Sequence, residues 1–217
     1  MLESFAQFLL SRRCYDCDQS ILIDPKQLLC NACRDRLHFL TLPGHFPHLK
    51  KTYFDRSYSL VAYEGAAAKW IQRWKYHRQL HHTRLWLDLF ATYDFAWEDF
   101  DCLIPVPLHR WRNFRRGFNQ SAILASALGK KFKRPVLHKI LKRVRQSAPQ
   151  VHHHAEERIQ NIRGAFIATK HFAQIKQKSV LLVDDVVTTG ATVNECAKVL
   201  KQAQAKNVTV LTLARTL

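Results

Sequence analysis

The stretch from Val180 to Thr192 reads VLLVDDVVTTGAT and decides the fold. Its apolar start, Val180–Val183, has the composition of a buried β-strand. Two adjacent acids, Asp184 and Asp185, follow it, and then comes a turn rich in hydroxyl groups. After Gly190 the apolar residues recur at the spacing of one helix face: Val193, Cys196, Ala197 and Leu200. The stretch therefore predicts a strand, a polar turn and the N-terminus of a helix.

The parts of this turn suit the parts of a phosphorylated sugar. Backbone amides at a helix N-terminus point outward, and the helix dipole there favours an anion. Gly190 lets a ligand approach the backbone closely. Asp184 and Asp185 would repel a second phosphate, but their carboxylates accept hydrogen bonds from sugar hydroxyls. We therefore predict a ribose 5-phosphate site in which the two acids meet the ribose and five residues hold the phosphate: Thr188, Thr189, Gly190, Ala191 and Thr192.

Other phosphate-binding motifs do not fit the same residues. A Walker loop needs GK[ST] and a dinucleotide fold needs GxGxxG, and the chain has neither. Paired acids after a strand also occur in receiver domains, but too little chain follows Asp185 for the rest of that fold. The remaining alternative is a strand–turn–helix corner whose Thr and Asp side chains serve only as caps. Capping does not require both the acids and the hydroxyl cluster.

Strands alternate with helices along most of the chain, which predicts a mostly parallel sheet covered on both faces. The predicted strands are Ser57–Tyr63, Asp101–Val106, Gly164–Ala168, Ser179–Val183 and Asn207–Leu213. The predicted helices are Ala66–Phe90, Phe118–Phe132 and the one after Gly190. Ligands of such sheets bind beyond the carboxyl ends of the strands. Two loops are predicted to lie there, Pro107–Gly117 and Asp184–Thr192.

The remaining stretches lack a helix or strand period. Residues 41–52 read as a linker because they contain two prolines and a glycine. The polar stretch Lys142–Gln160 is predicted to be a loop or a flexible hairpin. The tryptophans of the first long helix, Trp70, Trp74 and Trp86, are expected to pack in the core rather than to stack on bases.

Four cysteines form two CxxC pairs near the N-terminus: Cys14, Cys17, Cys30 and Cys33. Two such pairs predict a structural zinc site, because four thiolates complete a tetrahedron and leave no open position. Disulfides and a redox-active CxxC are the alternatives. The other two cysteines, Cys102 and Cys196, fall in a predicted strand and helix and are expected in the core.

The chain of 217 residues carries a net charge of +17, which favours polyanionic partners such as nucleic acid, phosphorylated metabolites or an acidic membrane surface. Residues 102–155 hold twelve Lys and Arg and no Asp or Glu. A solvated face that aids solubility is the alternative reading. No apolar run is long enough to span a bilayer, and residues 1–13 do not resemble a secretion signal, so we expect a cytoplasmic protein.

The Val180–Thr192 run resembles the phosphoribosyl pyrophosphate motif of type I phosphoribosyltransferases. Further motifs resemble the competence-protein ComF family, also called amidophosphoribosyltransferase-like. These motifs are the double CxxC, the stretch Ile104–His109 followed by Arg112, and the run RGFNQ at Arg116–Gln120. A further group lies in and just after the stretch Lys142–Gln160: Arg143, Arg145, Gln150, Arg158, Asn161 and Gly164–Phe166. Two residues depart from the family pattern, because Ser147 replaces a common Thr and His153 a common Leu.

The resemblance implies a type I phosphoribosyltransferase-like domain over residues 46–217 and a zinc-binding segment over residues 1–45. It implies that Asp184 and Asp185 are catalytic residues that orient the ribose and that Mg²⁺ accompanies phosphoribosyl pyrophosphate. From the residues themselves, Arg112 and Arg116 in the arginine-rich loop Pro107–Gly117 are predicted to clamp the pyrophosphate, which suits guanidinium forks. A surface loop that contacts nucleic-acid phosphates is the alternative. The enzyme implied is a pentosyl transferase that acts on an unknown acceptor.

Family membership also implies a role in natural transformation and DNA uptake. The expected partners are single-stranded DNA, bound by the basic stretch, and competence helicases or other DNA-processing proteins. The alternative to an enzyme is therefore a non-catalytic competence factor that binds single-stranded DNA and uses the phosphoribosyl site as a ligand sensor.

Overall fold

The computed structural model describes residues 12–21, 28–76, 81–91, 99–108, 118–145 and 155–217. The strands in chain order are β1 (Arg12–Arg13), β2 (Ser20–Ile21), β3 (Arg56–Ala62), β4 (Cys102–Pro105), β5 (Leu141–Arg143), β6 (Phe166–Ala168), β7 (Ser179–Val187) and β8 (Asn207–Arg215). The helices are α1 (Asn31–Arg34), α2 (Gly65–Tyr76), α3 (His81–Ala91), α4 (Gln120–Phe132), α5 (Ala155–Ile162) and α6 (Ala191–Gln202), with a 3-10 turn at Phe172–Ile175.

Four strands form the central sheet in the order β3–β8–β7–β4, and every neighbouring pair is parallel. Alternate residues of β7 face opposite sides, as strand geometry requires. Leu181 and Val183 pack with α2, α3 and α4, whereas Val180 and Leu182 pack with α5 and α6. The prediction of an α/β fold with a parallel sheet between helices is therefore confirmed.

Most predicted elements are present with shifted ends, but β7 differs in a way that matters. The prediction ended this strand at Val183, whereas the observed strand continues to Val187 and contains both acids. The reason is non-local pairing, because β8 runs alongside and places Thr212 next to Asp184 and Arg215 next to Val187. Both acids therefore belong to β7 itself and do not follow its end.

The prediction of a loop over Lys142–Gln160 is wrong at both ends. Strand β5 begins it and helix α5 ends it, while residues 146–154 lie outside the described part. Strand β5 pairs antiparallel with β6 in a separate two-stranded ribbon, so the predicted Gly164–Ala168 strand does not belong to the main sheet. Three-residue strands are too short to show a period. Among the described side chains of α5, the apolar ones that pack against neighbours are Ile159 and Ile162.

The long helix predicted over Ala66–Phe90 is described as two helices, α2 and α3, with residues 77–80 outside the described part.

The tryptophans behave as expected, because Trp70, Trp74 and Trp86 are fully buried. Cys102 and Cys196 are also fully buried, as predicted. Within the described residues, no helix has the length and apolar character needed to cross a bilayer.

The N-terminal cysteine segment is packed against the sheet. Residues 38–40 run antiparallel to β3, with Leu40 N donating to Leu60 O at 3.0 Å and Ala62 N donating to His38 O at 2.8 Å. These bonds satisfy the outer edge of β3, which would otherwise be open to another strand. Closer to the cysteines, the indole Nε1 of Trp70 donates to Asp16 Oδ1 at 2.8 Å, so α2 anchors the loop between Cys14 and Cys17.

We expect Trp70→Phe to destabilise the protein by about 1–2 kcal/mol more than Trp74→Phe, because only the first loses a hydrogen bond to a carboxylate. Both indoles are fully buried, and among the described residues Trp74 Nε1 has no hydrogen-bond partner. The two substitutions remove the same volume, which makes the second a matched control. Urea unfolding of both variants measures the difference. Equal losses would mean that the Asp16 contact contributes nothing.

Candidate functional site

The two acids of β7 lie at the carboxyl edge of the sheet, and a neighbouring helix holds the first of them. Ser121 Oγ, in the first turn of α4, donates to Asp184 Oδ1 at 2.8 Å. Asn119 fixes that turn, because its side chain accepts from Ser121 N at 3.1 Å and its Nδ2 donates to Val106 O at 3.0 Å. The end of β4 thereby positions Ser121 against Asp184.

A lysine from the opposite end of the site holds the second acid. Lys75 Nζ, near the end of α2, lies 3.0 Å from Asp185 Oδ2. Only 17% of the Lys75 side chain and 14% of the Asp185 side chain are exposed, so water screens this ion pair little. The acids also bind backbone amides, with Asp185 N donating to Asp184 Oδ1 and Val186 N donating to Asp185 Oδ1.

Burial raises the pKa of Asp184 to about 7, and the charge of Asp185 acts in the same direction. The hydroxyl of Ser121 and the charge of Lys75 oppose this rise in pKa without cancelling it. Near neutral pH the pair therefore combines a carboxyl group that exchanges a proton with a carboxylate paired to a cation. Such a pair can both accept hydrogen bonds from a diol and donate one to it.

The turn that follows leads directly into α6. Gly190 has φ +77°, a left-handed conformation that favours glycine, and its carbonyl accepts the first helical bond from Asn194 N at 2.9 Å. A Cβ at this position would lie 2.9 Å from Phe46 Cδ1 and 3.1 Å from Leu49 Cδ1. Glycine is therefore needed here by the backbone angle and by close packing against the 41–52 segment. The hydroxyl of Thr189 also faces Ala191 N, at 3.4 Å.

A single edge of the sheet thus carries all the predicted ribose and phosphate residues, from Asp184 to Thr192. The two arginines predicted to hold pyrophosphate, Arg112 and Arg116, lie outside the described residues.

The sequence reasoning did not identify Ser121 or Lys75. For Lys75 a signal was present, because it lies one helical turn after Ile71 on the buried stripe of α2, where a cation needs a partner.

Arg215, at the end of β8, is a further cation at this edge that the sequence reasoning missed. Its Cα lies beside Val187, just before the turn. Its Nη1 is buried and has no hydrogen-bond partner among the described residues, and burial lowers the pKa of the guanidinium. A Cβ on Gly44 would lie only 2.7 Å from this nitrogen, so Gly44 leaves room for it.

The four N-terminal cysteines converge at a separate site. The sulfur atoms of Cys14, Cys17, Cys30 and Cys33 all lie within 4.8 Å of one another, and none is in a disulfide. Cys17 Sγ and Cys30 Sγ are 3.6 Å apart. A tetrahedral zinc with bonds of about 2.3 Å would separate its sulfur ligands by roughly 3.8 Å. The donor set and its spacing therefore fit a metal such as zinc.

Comparison with known proteins shows similarity over much of the chain. The phosphoribosyl transferase domain family matches residues 115–216. "Competence protein F" of Haemophilus influenzae is 30% identical over 224 aligned residues, which cover 94% of this chain and 96% of that protein. "Competence protein ComFC" of Bacillus subtilis is 23% identical over 217 residues, covering 89% and 87% of the two chains.

Two other similarities cover less of the chain. "DNA utilization protein YhgH" of Salmonella typhi is 38% identical over 117 residues, which are 54% of this chain and 50% of that protein. A solved structure of glutamine phosphoribosylpyrophosphate amidotransferase from Bacillus subtilis, complexed with ADP and GMP, covers 53% of this chain and 22% of that chain, with a TM-score of 0.37 and 21% identity.

The parallel sheet, the acid pair before the α6 turn and the matched domain define an α/β chain of the phosphoribosyltransferase type with an N-terminal four-cysteine cluster. The near full-length similarity to the Haemophilus protein goes further, and the chain belongs to the competence protein F family. The resemblance inferred from the sequence motifs is thus confirmed.

The raised pKa of Asp184 makes stability depend on pH. Its pKa in the folded protein lies above the ordinary value of 3.8, so between about pH 4 and 7 the folded state binds more protons than the unfolded state, and stability falls as pH rises. Asp184→Asn removes this dependence and keeps an oxygen for Ser121. We therefore compare the free energies of unfolding of the variant and the parent at two pH values. The variant minus the parent should be larger at pH 8 than at pH 5, by on the order of 2 kcal/mol.

Urea unfolding at the two pH values measures this gain. Asp99→Asn serves as the control, because it removes the same charge from a fully exposed side chain and should leave the pH dependence unchanged. A gap between Asp184→Asn and the parent that is the same at both pH values would contradict the assigned ionisation.

Proposed function

We propose that this chain binds phosphoribosyl pyrophosphate at the carboxyl edge of its sheet. Asp184 and Asp185 would bind the ribose hydroxyls, and the turn Thr188–Thr192 would bind the 5-phosphate. One observation carries the proposal: two carboxyl groups, one held by Ser121 and the other paired with Lys75, lie a few residues before a left-handed glycine and a helix N-terminus. A phosphorylated ribose has the matching order of groups, with a diol at one end and a dianion at the other.

The charges around the acid pair support an anionic ligand with a sugar between its charges. Lys75 balances Asp185, so that the pair does not present two unopposed negative charges to an incoming phosphate. Arg215 adds an unpaired guanidinium nitrogen beside the end of β7. In this proposal Arg112 and Arg116 hold the pyrophosphate, which suits the fork of a guanidinium group. Mg²⁺, when bound with the ligand, would neutralise the charge of the departing pyrophosphate.

The reaction that follows from such a site is phosphoribosyl transfer. The bond between C1 of the ribose and the pyrophosphate oxygen would break, pyrophosphate would leave with the electron pair, and an acceptor would form the new bond to C1. The contribution of Asp184 and Asp185 would be to orient the sugar and stabilise charge at C1.

The names of the relatives connect the family with competence and DNA utilization, and we propose that this chain acts in DNA uptake during natural transformation.

A second candidate function is favoured by the net charge of +17. In that case the chain binds single-stranded DNA without catalysis and the phosphoribosyl site senses a ligand. Release of pyrophosphate from phosphoribosyl pyrophosphate in the presence of DNA would separate the two candidates.

We also propose that the four cysteines hold a structural Zn²⁺ in a segment spanning residues 1–45, ahead of the phosphoribosyltransferase-like domain of residues 46–217. Four thiolates would close the coordination shell, so the metal would take no part in the chemistry. Cys30 N donates to Cys14 Sγ at 3.3 Å, a contact that stabilises a thiolate.

Isothermal calorimetry with phosphoribosyl pyrophosphate and Mg²⁺ should give binding heat for the parent protein. We expect the double substitution Asp184→Asn, Asp185→Asn to weaken binding at least about 100-fold, because amides bind a sugar diol less strongly than charged groups and the pairing with Lys75 is lost. Ribose 5-phosphate should compete for the same site.

The control for this experiment is Asp99→Asn combined with Asp101→Asn, which removes equal charge just before β4, at the end of the sheet opposite to the acid pair. The control should bind like the parent. The proposal fails if the parent gives no heat, or if the ligand binds the acid-pair variant as tightly as the control.

We expect one Zn²⁺ per chain in the purified protein and its loss in Cys33→Ser, because a three-thiolate site binds the metal far more weakly. Cys102→Ala is the matched control, since this cysteine is equally buried but lies outside the cluster. Metal analysis after gel filtration gives the stoichiometry. Retention of zinc by the Cys33 variant would rule out the four-cysteine site.

A further inference from the structure

A basic cleft lies on the other face of the sheet from the partners of the acid pair. It has a volume of about 400 Å³ and lies between residues 48–53, the end of α5 and the first turns of α6. Six of its lining residues carry the argument: Lys50, Lys51, Tyr53, Arg163, Asn194 and Lys198. We call it the Tyr53 cleft.

The charge of this cleft is strongly positive. Lys50, Lys51, Arg163 and Lys198 come from three separate parts of the chain, and Glu195 is the only acid among the lining residues that the structure describes. Glu195 is already engaged, because its Oε1 accepts from Gly164 N at 2.8 Å and lies 3.9 Å from Lys198 Nζ. The side chains of Lys50, Lys51 and Arg163 are exposed to solvent. The cleft therefore carries uncompensated positive charge that an anion would balance.

Two of the cations approach one aromatic ring. Lys51 Nζ lies 5.2 Å and Lys198 Nζ lies 5.9 Å from the centre of the Tyr53 ring. The ring attracts both ammonium groups. A phosphate that draws one ammonium group away from the ring would expose a flat surface for a base.

The cleft is built rather than accidental, because a side chain from α6 fixes its wall. Asn194 Oδ1 accepts from Tyr53 N at 2.7 Å, and Asn194 Nδ2 donates to Lys51 O at 2.9 Å. These two bonds hold the backbone on both sides of residue 52 against the helix. Lys51 and Tyr53 are thereby presented to the cleft before any ligand binds, which lowers the entropy cost of binding.

We propose that the Tyr53 cleft binds the phosphodiester backbone of single-stranded nucleic acid. Converging lysines and an arginine around one aromatic ring match the requirements of a strand, whose phosphates need cations and whose bases need a stacking surface. The proposal gives the second candidate function a location different from the basic stretch of residues 102–155.

The cleft and the ribose site can be tested separately. Asp184 and Asp185 are held by α4 and α2, whereas the cleft lies between α5, α6 and residues 48–53. The proposal for the cleft rests on nucleic-acid binding and not on phosphoribosyl pyrophosphate. The cleft reaches the phosphate turn at Ala191, but Lys51 and Lys198 lie outside the residues assigned to phosphoribosyl pyrophosphate, so their substitution should leave binding of that ligand intact.

The test is fluorescence anisotropy of the full chain with a labelled oligothymidylate of about 20 nucleotides, which is longer than the site of one small binding module. We expect the double variant Lys51→Gln, Lys198→Gln to bind at least about tenfold more weakly at 0.1 M salt. The negative slope of log K against log salt should become shallower by about 1.4, because two phosphate contacts are lost. Lys130→Gln with Lys176→Gln removes the same charge from exposed sites outside the cleft and should change both quantities much less.

Three outcomes would overturn the proposal: no binding by the parent, equal weakening by the two double variants, or thymidine monophosphate that competes as strongly per molecule as the strand. The third outcome would indicate a site for a small phosphate. Unchanged heat of phosphoribosyl pyrophosphate binding shows that the cleft variant is folded. If that heat is absent from the parent while the strand still binds, the proposed ribose site alone fails.

Discussion

Two carboxyl groups on adjacent residues of one strand repel each other, and at this sheet edge that repulsion is met by two different partners. Ser121 gives Asp184 a hydroxyl donor, and Lys75 gives Asp185 a cation. These partners come from helices on one face of the sheet, so the acids depend on how α2 and α4 pack against β7. The Asn119 cap sets the start of α4, and the buried tryptophans hold α2 in place. The arrangement of the site is thus a consequence of the core beneath it.

The same sheet separates two kinds of positively charged environment. On the face of α2 and α4, single cations balance acids and leave a small site with mixed charge. On the face of α5 and α6, several cations converge with one engaged acid around the Tyr53 ring. Helix α6 connects the two, since its first residue follows the Gly190 turn and its Asn194 fixes the wall of the cleft. A sugar phosphate suits the first environment and a nucleic-acid strand suits the second.

Local patterns predicted the parts of the fold that local chemistry determines. The apolar run before Asp184 predicted a buried strand, the period after Gly190 predicted α6, and two CxxC spacings predicted a cluster of four sulfur atoms. The extension of β7 to Val187 was not predictable, because it depends on pairing with β8. An acid within a strand is unusual unless a neighbouring strand holds the backbone.

The partners of the acids were not identified from the sequence, and only for Lys75 did a local signal exist. Ser121 and Lys75 are distant from Asp184 in the chain, and only the packing of the helices brings them to it. The Tyr53 cleft was also hidden, since residues 41–52 read as a linker and nothing in their composition indicated the contact with Asn194. Helix α5 was missed because two apolar residues are too few to establish a helical period.

The central claim is that one edge of the sheet binds a ribose by its hydroxyls and its 5-phosphate by the turn before α6. A crystal structure of the protein soaked with ribose 5-phosphate tests it most directly. The account predicts phosphate density against the amides of residues 188–192, with the ribose hydroxyls within hydrogen-bond distance of Asp184 and Asp185. Phosphate density in the Tyr53 cleft, with the acid pair still bound only by Ser121 and Lys75, would contradict it.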